Sequence, residues 1–211
     1  MLGAGNQKAS EEMYAVLWEV LKRGDNNTTI GNALVYECVK TATAIHPSPR
    51  LLELAAGIVA RFIKSKTHNL KFCGISALAA VVRVSPKYAA EHQMVVIDCL
   101  EDPDETLRKN TLDLLYRMTK RNNVTVIVER LTDYLRTSTN VDSRGETVAR
   151  IVELAERYAP SSAWFISTMN AVFEQGGELV QPTAAHNLMR LIAEGKPQPL
   201  TPYPLPLNPK P

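Results

Sequence analysis

Three cysteines and four histidines carry most of the chemical reach of this 211-residue chain, and their spacing keeps them apart. Cys38, Cys73 and Cys99 form no C-x-x-C pair, and His46, His68, His92 and His186 are scattered along the chain. A tetrahedral zinc site draws its ligands from close local pairs, so this pattern predicts no metal, and no cofactor is expected. The thiols read as reduced core side chains of a cytosolic protein. His92 follows Glu91 with no second histidine four residues along, so it makes no zincin pair.

Nucleophile and ligand-loop chemistry fare no better. Ser161, Ser162 and Ser167 lack the G-x-S-x-G frame that exposes a serine on a strained turn. Leu2-Gly3-Ala4-Gly5 matches half of a dinucleotide fingerprint, but it follows no strand and lacks the third glycine. The acidic run Glu101–Glu105 has neither the ligand spacing of an EF-hand nor its central glycine. A helix start, where the dipole favours carboxylates, explains it. No catalytic, cofactor-binding or metal residue is assigned, and the chain is expected not to be an enzyme.

One cluster remains. Arg108, Lys109, Arg117, Lys120 and Arg121 make one helix and its following turn basic. Such a patch suits an acidic partner or an anionic lipid head group. Glu101, Asp102, Asp104, Glu105 and Asp113 surround it, and a balanced local charge generates little net field. The whole chain is balanced too, with Lys+Arg 24 against Asp+Glu 22 and a formal charge of +2. A nucleic-acid partner is therefore not expected, since it calls for a basic excess or a dense stripe.

These residues sit on helices. Leu107, Thr111, Leu114, Leu115 and Met118 follow the i, i+4, i+7, i+8 spacing of one helix face. Val124, Ile127, Val128, Leu131 and Leu135 repeat it, as do Val148, Ile151, Val152, Ala155 and Tyr158. Ser48-Pro49 and Ser85-Pro86 place a capping hydroxyl before a proline suited to the first helical position. Asp102-Pro103-Asp104-Glu105 marks another start. Three Asn-x-Thr triplets, at Asn26, Asn27 and Asn123, read as helix-cap chemistry and not as glycosylation sites. The pattern predicts ten helices, near 9–22, 29–45, 49–64, 68–84, 86–100, 104–119, 123–137, 142–158, 161–175 and 182–194. The only β-branched run, Val124–Val128, carries helical spacing on both sides, so the fold class is all-α.

A 37-residue period joins the helices into pairs. Leu78, Leu115, Val152 and Met189 stand in register at that spacing, and so do the joints Pro49, Pro86, Asn123 and Pro160. A period of this size marks an α-solenoid of HEAT or armadillo type, whose units bury their apolar faces against their neighbours. After Gly195, expected to cap the last helix, 196–211 holds seven prolines and should be extended or disordered, with two P-x-x-P matches. Met1–Ser10 has no basic start and no apolar stretch, so no secretory signal is read there. The longest nearly apolar run, Gly74–Val82, falls far short of the roughly 20 residues of a membrane span, and any membrane contact is expected to be peripheral.

Longer strings carry a resemblance. Ser85–Gln93, Val96–Leu107 and Thr111–Thr119 are similar to the trunk of the large adaptins, the big chains of heterotetrameric vesicle-coat adaptors. Asn69-Leu70-Lys71, Glu153–Pro160, Trp164-Phe165-Ile166 and Ala185–Gly195 add to it, so that the likeness runs from about Leu2 to Gly195. Within the family it leans to the epsilon type of the fourth adaptor complex, although gamma and alpha chains share several strings. The resemblance implies a curved helical trunk over 1–195 that holds medium and small chains, pairs with a second large chain, and serves protein transport at trans-Golgi and endosomal membranes. The trunk's first helices, where the family meets a small GTPase and lipid, have no counterpart here, nor have hinge and ear. Asn110 stands where the family commonly has another basic residue. The competing expectation is a free-standing helical-repeat binding scaffold unconnected with a coat. As a segment from the middle of such a trunk, the helices at 9–22 and 182–194 would each expose a face meant for a neighbour, which predicts marginal solubility or self-association.

Overall fold

The computed structural model describes residues 5–24, 26 and 28–194. Among them are ten α-helices and no strand, each helix end lying within two residues of its expected place. The chain divides into two units, Met1–Met118 and Thr119–Pro211. The expected cap Gly195 and the proline-rich 196–211 lie outside the described residues.

The first unit holds α1 (Gln7–Gly24), α2 (Thr29–Ala44), α3 (Pro49–Ile63), α4 (His68–Val84), α5 (Lys87–Asp98) and α6 (Glu105–Met118). Each helix packs on its chain neighbour and on the helix two places along: α1 on α3, α2 on α4, α4 on α6. This is how a repeat of helix pairs stacks. Leu51, Ala55, Ile58, Val59 and Phe62 make one buried face of α3, and Ile75, Leu78, Val81 and Val82 the facing side of α4. Burying such a side chain stabilises by about 1.5–3 kcal/mol. Gly74 permits the close approach of this pair. A Cβ there would stand 2.7 Å from Ile63 Cγ1 and 2.8 Å from the Ile63 amide nitrogen. Tyrosines of two other helices reach the joint between α2 and α3: Tyr14 Oη donates to the His46 carbonyl at 2.8 Å, and Tyr88 Oη donates to the Pro49 carbonyl at 3.3 Å.

The second unit holds α7 (Val124–Thr137), α8 (Val141–Tyr158), α9 (Ser162–Gly176) and α10 (Pro182–Glu194). The β-branched run at its start is helical, with Val124, Ile127 and Val128 buried. Phe165, Met169 and Val172 of α9 are buried, as are Val148, Ile151 and Ala155 of α8. Gly177 ends α9 with φ +52°, a positive value that glycine adopts freely, and its amide reaches the Phe173 carbonyl.

The caps explain why these segments start where they do. Thr28, Asn140 and Ser161 each accept from the backbone amide three residues on, and Asp104 Oδ1 accepts from the Leu107 amide at 2.7 Å. Asn123 Oδ1 accepts from the Lys120 amide at 2.6 Å. Three expected caps differ: that bond of Asn123 reaches back into the turn, and its side chain does not cap α7. Ser48 precedes Pro49 as foreseen, but its hydroxyl makes no capping bond. Ser85 closes α4 through its amide to the Val81 carbonyl, and α5 begins only after Pro86. Proline removes a donor and fixes φ, so a helix can start there without a side-chain cap. Thr28 is different, because its hydroxyl also donates to Asn26 Oδ1 at 2.6 Å. Thr28→Ala should destabilise α2 by about 1 kcal/mol, seen as faster hydrogen exchange of its first-turn amides, while Thr28→Ser restores them.

Candidate functional site

The five basic residues read from the sequence are divided between the two units. Arg108, Lys109 and Arg117 lie on α6, and Lys120 and Arg121 follow in the turn that opens the second unit. Arg108 and Arg117 stand about 13 Å apart along the helix axis, at opposite ends of α6. Arg117 holds an i,i+4 ion pair with Asp113 at 2.7 Å. Arg108 is half-buried and donates through Nη1 to the carbonyls of Asp102 at 2.8 Å and Pro103 at 3.1 Å. Lys109, Lys120 and Arg121 are exposed, with no ion pair among the described residues.

The strongest charged constellation is one that the sequence reading did not single out. The Asp102 side chain, 1% exposed, sits in the turn before α6 and gathers partners from the start of α4. Lys71 Nζ lies 2.5 Å from Oδ2, and His68 Nδ1 lies 2.7 Å from Oδ1. Oδ1 also accepts from the Asp104 amide at 3.1 Å. Burial alone would push this carboxyl up. Bonds from Lys71, the Asp104 amide and His68 outweigh burial and hold it below the ordinary carboxylate value. The result is a buried anion that ties α4 to the α5–α6 turn.

A related clamp works inside the second unit. Arg144 of α8 donates through Nη1 to the carbonyls of Leu135 at 2.5 Å and Ser138 at 3.0 Å, and through Nη2 to the Gln175 carbonyl at 2.5 Å. It satisfies carbonyls near the ends of α7 and α9, where helix dipoles favour a cation. Asn187 of α10 donates to Glu156 of α8 at 2.7 Å. Lys71 and Arg108 stand 37 residues apart, and Arg144 falls one short of the next place. A cation early in each of α4, α6 and α8, in or near the repeat register, was the available signal.

These groups hold turns together and are poorly arranged for catalysis. The ring nitrogen of His68 that faces Asp102 is part of a serine-triad geometry, but Lys71 neutralises the carboxylate. The nearby hydroxyls of Ser65 and Thr67 bond to each other at 3.1 Å. Burial pushes the Cys99 thiol up to about 11 and raises Cys38 and Cys73 too, so all three stay protonated at neutral pH. Burial also lowers His92, with Lys64 adding to the effect against Glu91, and keeps the imidazole neutral there. Among the described residues, no three of His, Cys, Asp and Glu come together as metal ligands, and no helix is long and apolar enough to cross a membrane.

Helix pairs stacked at a 37-residue period, with charged groups drawn into the joints, define a helical-repeat scaffold. The chain belongs to the family described as adaptin N terminal region, whose model matches residues 2–198. It is 50% identical over 195 residues to the AP-4 complex subunit epsilon of Arabidopsis thaliana, which covers 92% of this chain and 21% of that one. To the AP-4 complex subunit epsilon-1 of Homo sapiens it is 45% identical over 195 residues, 92% of this chain and 17% of that one. The AP-1 complex subunit gamma-1 of Arabidopsis thaliana is 31% identical over 193 residues, 92% of this chain and 22% of that one. The lean toward the epsilon type is thus confirmed, and the chain spans about a fifth of the length of the curated relatives it matches.

Proposed function

We propose that this chain is a non-catalytic scaffold segment of an epsilon-type adaptor subunit, working in vesicle-mediated protein transport. The observation that carries this reading is the adaptin match over residues 2–198, reinforced by relatives whose names make them subunits of adaptor complexes. Stacked helices offer long exposed edges and tightly bonded joints, which suit the holding of other chains. The partners are a second large chain, a medium chain and a small chain. A small GTPase and the membrane are met through trunk regions beyond this stretch. The place of action is the cytoplasmic face of trans-Golgi and endosomal membranes. Residues 1–195 form the repeat part and 196–211 a proline-rich extension. Within the basic cluster, Lys109, Lys120 and Arg121 are the side chains available to an acidic partner.

Affinity capture from cell extract with the tagged chain tests this. Recovery of medium and small adaptor chains in stoichiometric amount is the expected result. Their absence, with a different protein retained instead, overturns the coat assignment in favour of a free-standing scaffold.

A further inference from the structure

Charge is divided unevenly between the two edges of the first unit, although the chain as a whole is balanced. The α2–α3 and α4–α5 joints, 45–50 and 83–88, hold His46, Arg50, Arg83 and Lys87 and contain no Asp or Glu. The α3–α4 and α5–α6 joints of the same unit mix Lys64 and Lys66 with Glu101, Asp102 and Asp104. The first two joints lie side by side, because Tyr88 at the start of α5 donates to the Pro49 carbonyl at 3.3 Å. Within the unit the stack continues past them on either side, through α1 on α3 and α4 on α6.

The cations of the acid-free edge rest on aromatic rings and not on carboxylates. Arg50 lies over Trp18 of α1, 4.7 Å from the ring centroid, and Lys22 lies over the same ring at 5.3 Å. Lys87 lies over Tyr88 at 4.7 Å, and Tyr88 is 1% exposed and tied to Pro49. Arg83, in the last turn of α4, is exposed with no ion pair among the described residues. Glu53 and Glu91 stand one turn beyond Arg50 and Lys87, and neither forms an ion pair with them. A ring face attracts a cation through its quadrupole and leaves the charge intact. Arg50 and Lys87 also stand in the first turns of α3 and α5, where the helix dipole favours an anion nearby. The edge therefore holds positive charge in fixed places, ready for an anionic partner.

We propose that this edge is a docking surface for an extended acidic segment of a partner protein, with a carboxylate at every third residue. Arg50 and Lys87 hold the same place in the 37-residue repeat on helices packed side by side, so they recur about 10 Å apart. A polyproline II chain rises about 3.1 Å per residue with three residues per turn, which puts every third side chain on one face at about 9 Å. Such a segment meets both cations without bending. A lipid surface fits less well, because no exposed large apolar side chain lies in either joint to enter the acyl layer.

Fluorescence anisotropy with the whole 211-residue chain and a labelled peptide of Glu-Pro-Pro repeats tests this at low salt. Arg50→Gln with Lys87→Gln removes the two cations. Lys64→Gln with Lys66→Gln makes the same change of charge on the opposite edge. All four positions are exposed, so melting temperatures should match the unaltered chain. The unaltered chain should bind the peptide, and added salt should weaken the binding. The Arg50 and Lys87 double variant should bind at least about tenfold more weakly, and the Lys64 and Lys66 variant within about twofold of the unaltered chain. No binding of the peptide overturns the proposal, and so does an equal loss in the two double variants, which would mean unspecific attraction. Equal affinity for a peptide of the same composition with its glutamates in one block also overturns it. Capture of the chain by phosphatidylserine vesicles without binding of the peptide does so too, and gives the edge to lipid.

Discussion

Lys71→Met is expected to destabilise the first helical unit by about 3 kcal/mol, a large effect for a side chain near the surface. The reason is what it leaves behind. Asp102 is 1% exposed, and without the Lys71 ammonium its charge stays buried with His68 and one backbone amide for company. In an Asp102→Asn background the same substitution should cost less than about 1 kcal/mol, because no charge is stranded. Urea midpoints and hydrogen exchange of α4 and α6 amides measure both. Equal costs in the two backgrounds would show that Lys71 acts through its aliphatic stem alone.

The pH dependence follows from the direction of the Asp102 shift. The unfolded carboxyl takes up its proton near ~3.9, and the folded one lower still. Stability from this group is therefore fully present above the unfolded value and is lost as pH falls through the folded value. The gap between the native chain and Lys71→Met should hold at neutral pH and close in acid. The Asp102→Asn chain should lack that acid-linked loss.

Gly74→Leu should do at least comparable damage by overpacking. The nearest obstacles to a new Cβ are Ile63 Cγ1 and the Ile63 backbone nitrogen, and backbone cannot swing aside. The α3–α4 pair must separate, at a cost of about 3 kcal/mol, and even Gly74→Ala should lose about 1–2 kcal/mol. Gly57, an exposed glycine on α3 where an added Cβ would meet nothing within 4 Å, is the contrast. Gly57→Ala should stabilise by up to about 1 kcal/mol through helix propensity. Melting temperatures moving in opposite directions are the expected signature. A tolerated Gly74→Leu would mean that the pair is looser than its geometry shows.

Helix positions were the part of this molecule most open to reading from sequence. Hydrophobic spacing at 3.6 residues is a local property, and capping residues such as Thr28, Asp104, Asn140 and Ser161 act within one turn. Where a local signal misled, at Ser48 and Ser85, the proline beside it had already set the helix start. The candidate site was less legible. Asp102 looked like one acid among several in a run, and nothing local marks it as buried. Its partners are 31 and 34 residues away, and burial is conferred by the stacking of α4 against α6. Arg108 and Arg117 looked alike on paper, and only packing made one a turn clamp and the other a surface ion pair.

The sequence by itself determined an all-α repeat, its 37-residue period and its adaptin kinship, because periodicity and long matching strings are written along the chain. Tertiary structure alone decided which charges are buried, which cations bind carbonyls, and which copy of a repeated face lies open. Leu78 and Met189 hold the same place in the repeat, yet one is 0% and the other 61% exposed. Burial is a property of what lies opposite a residue, and no residue's own type or spacing contains it.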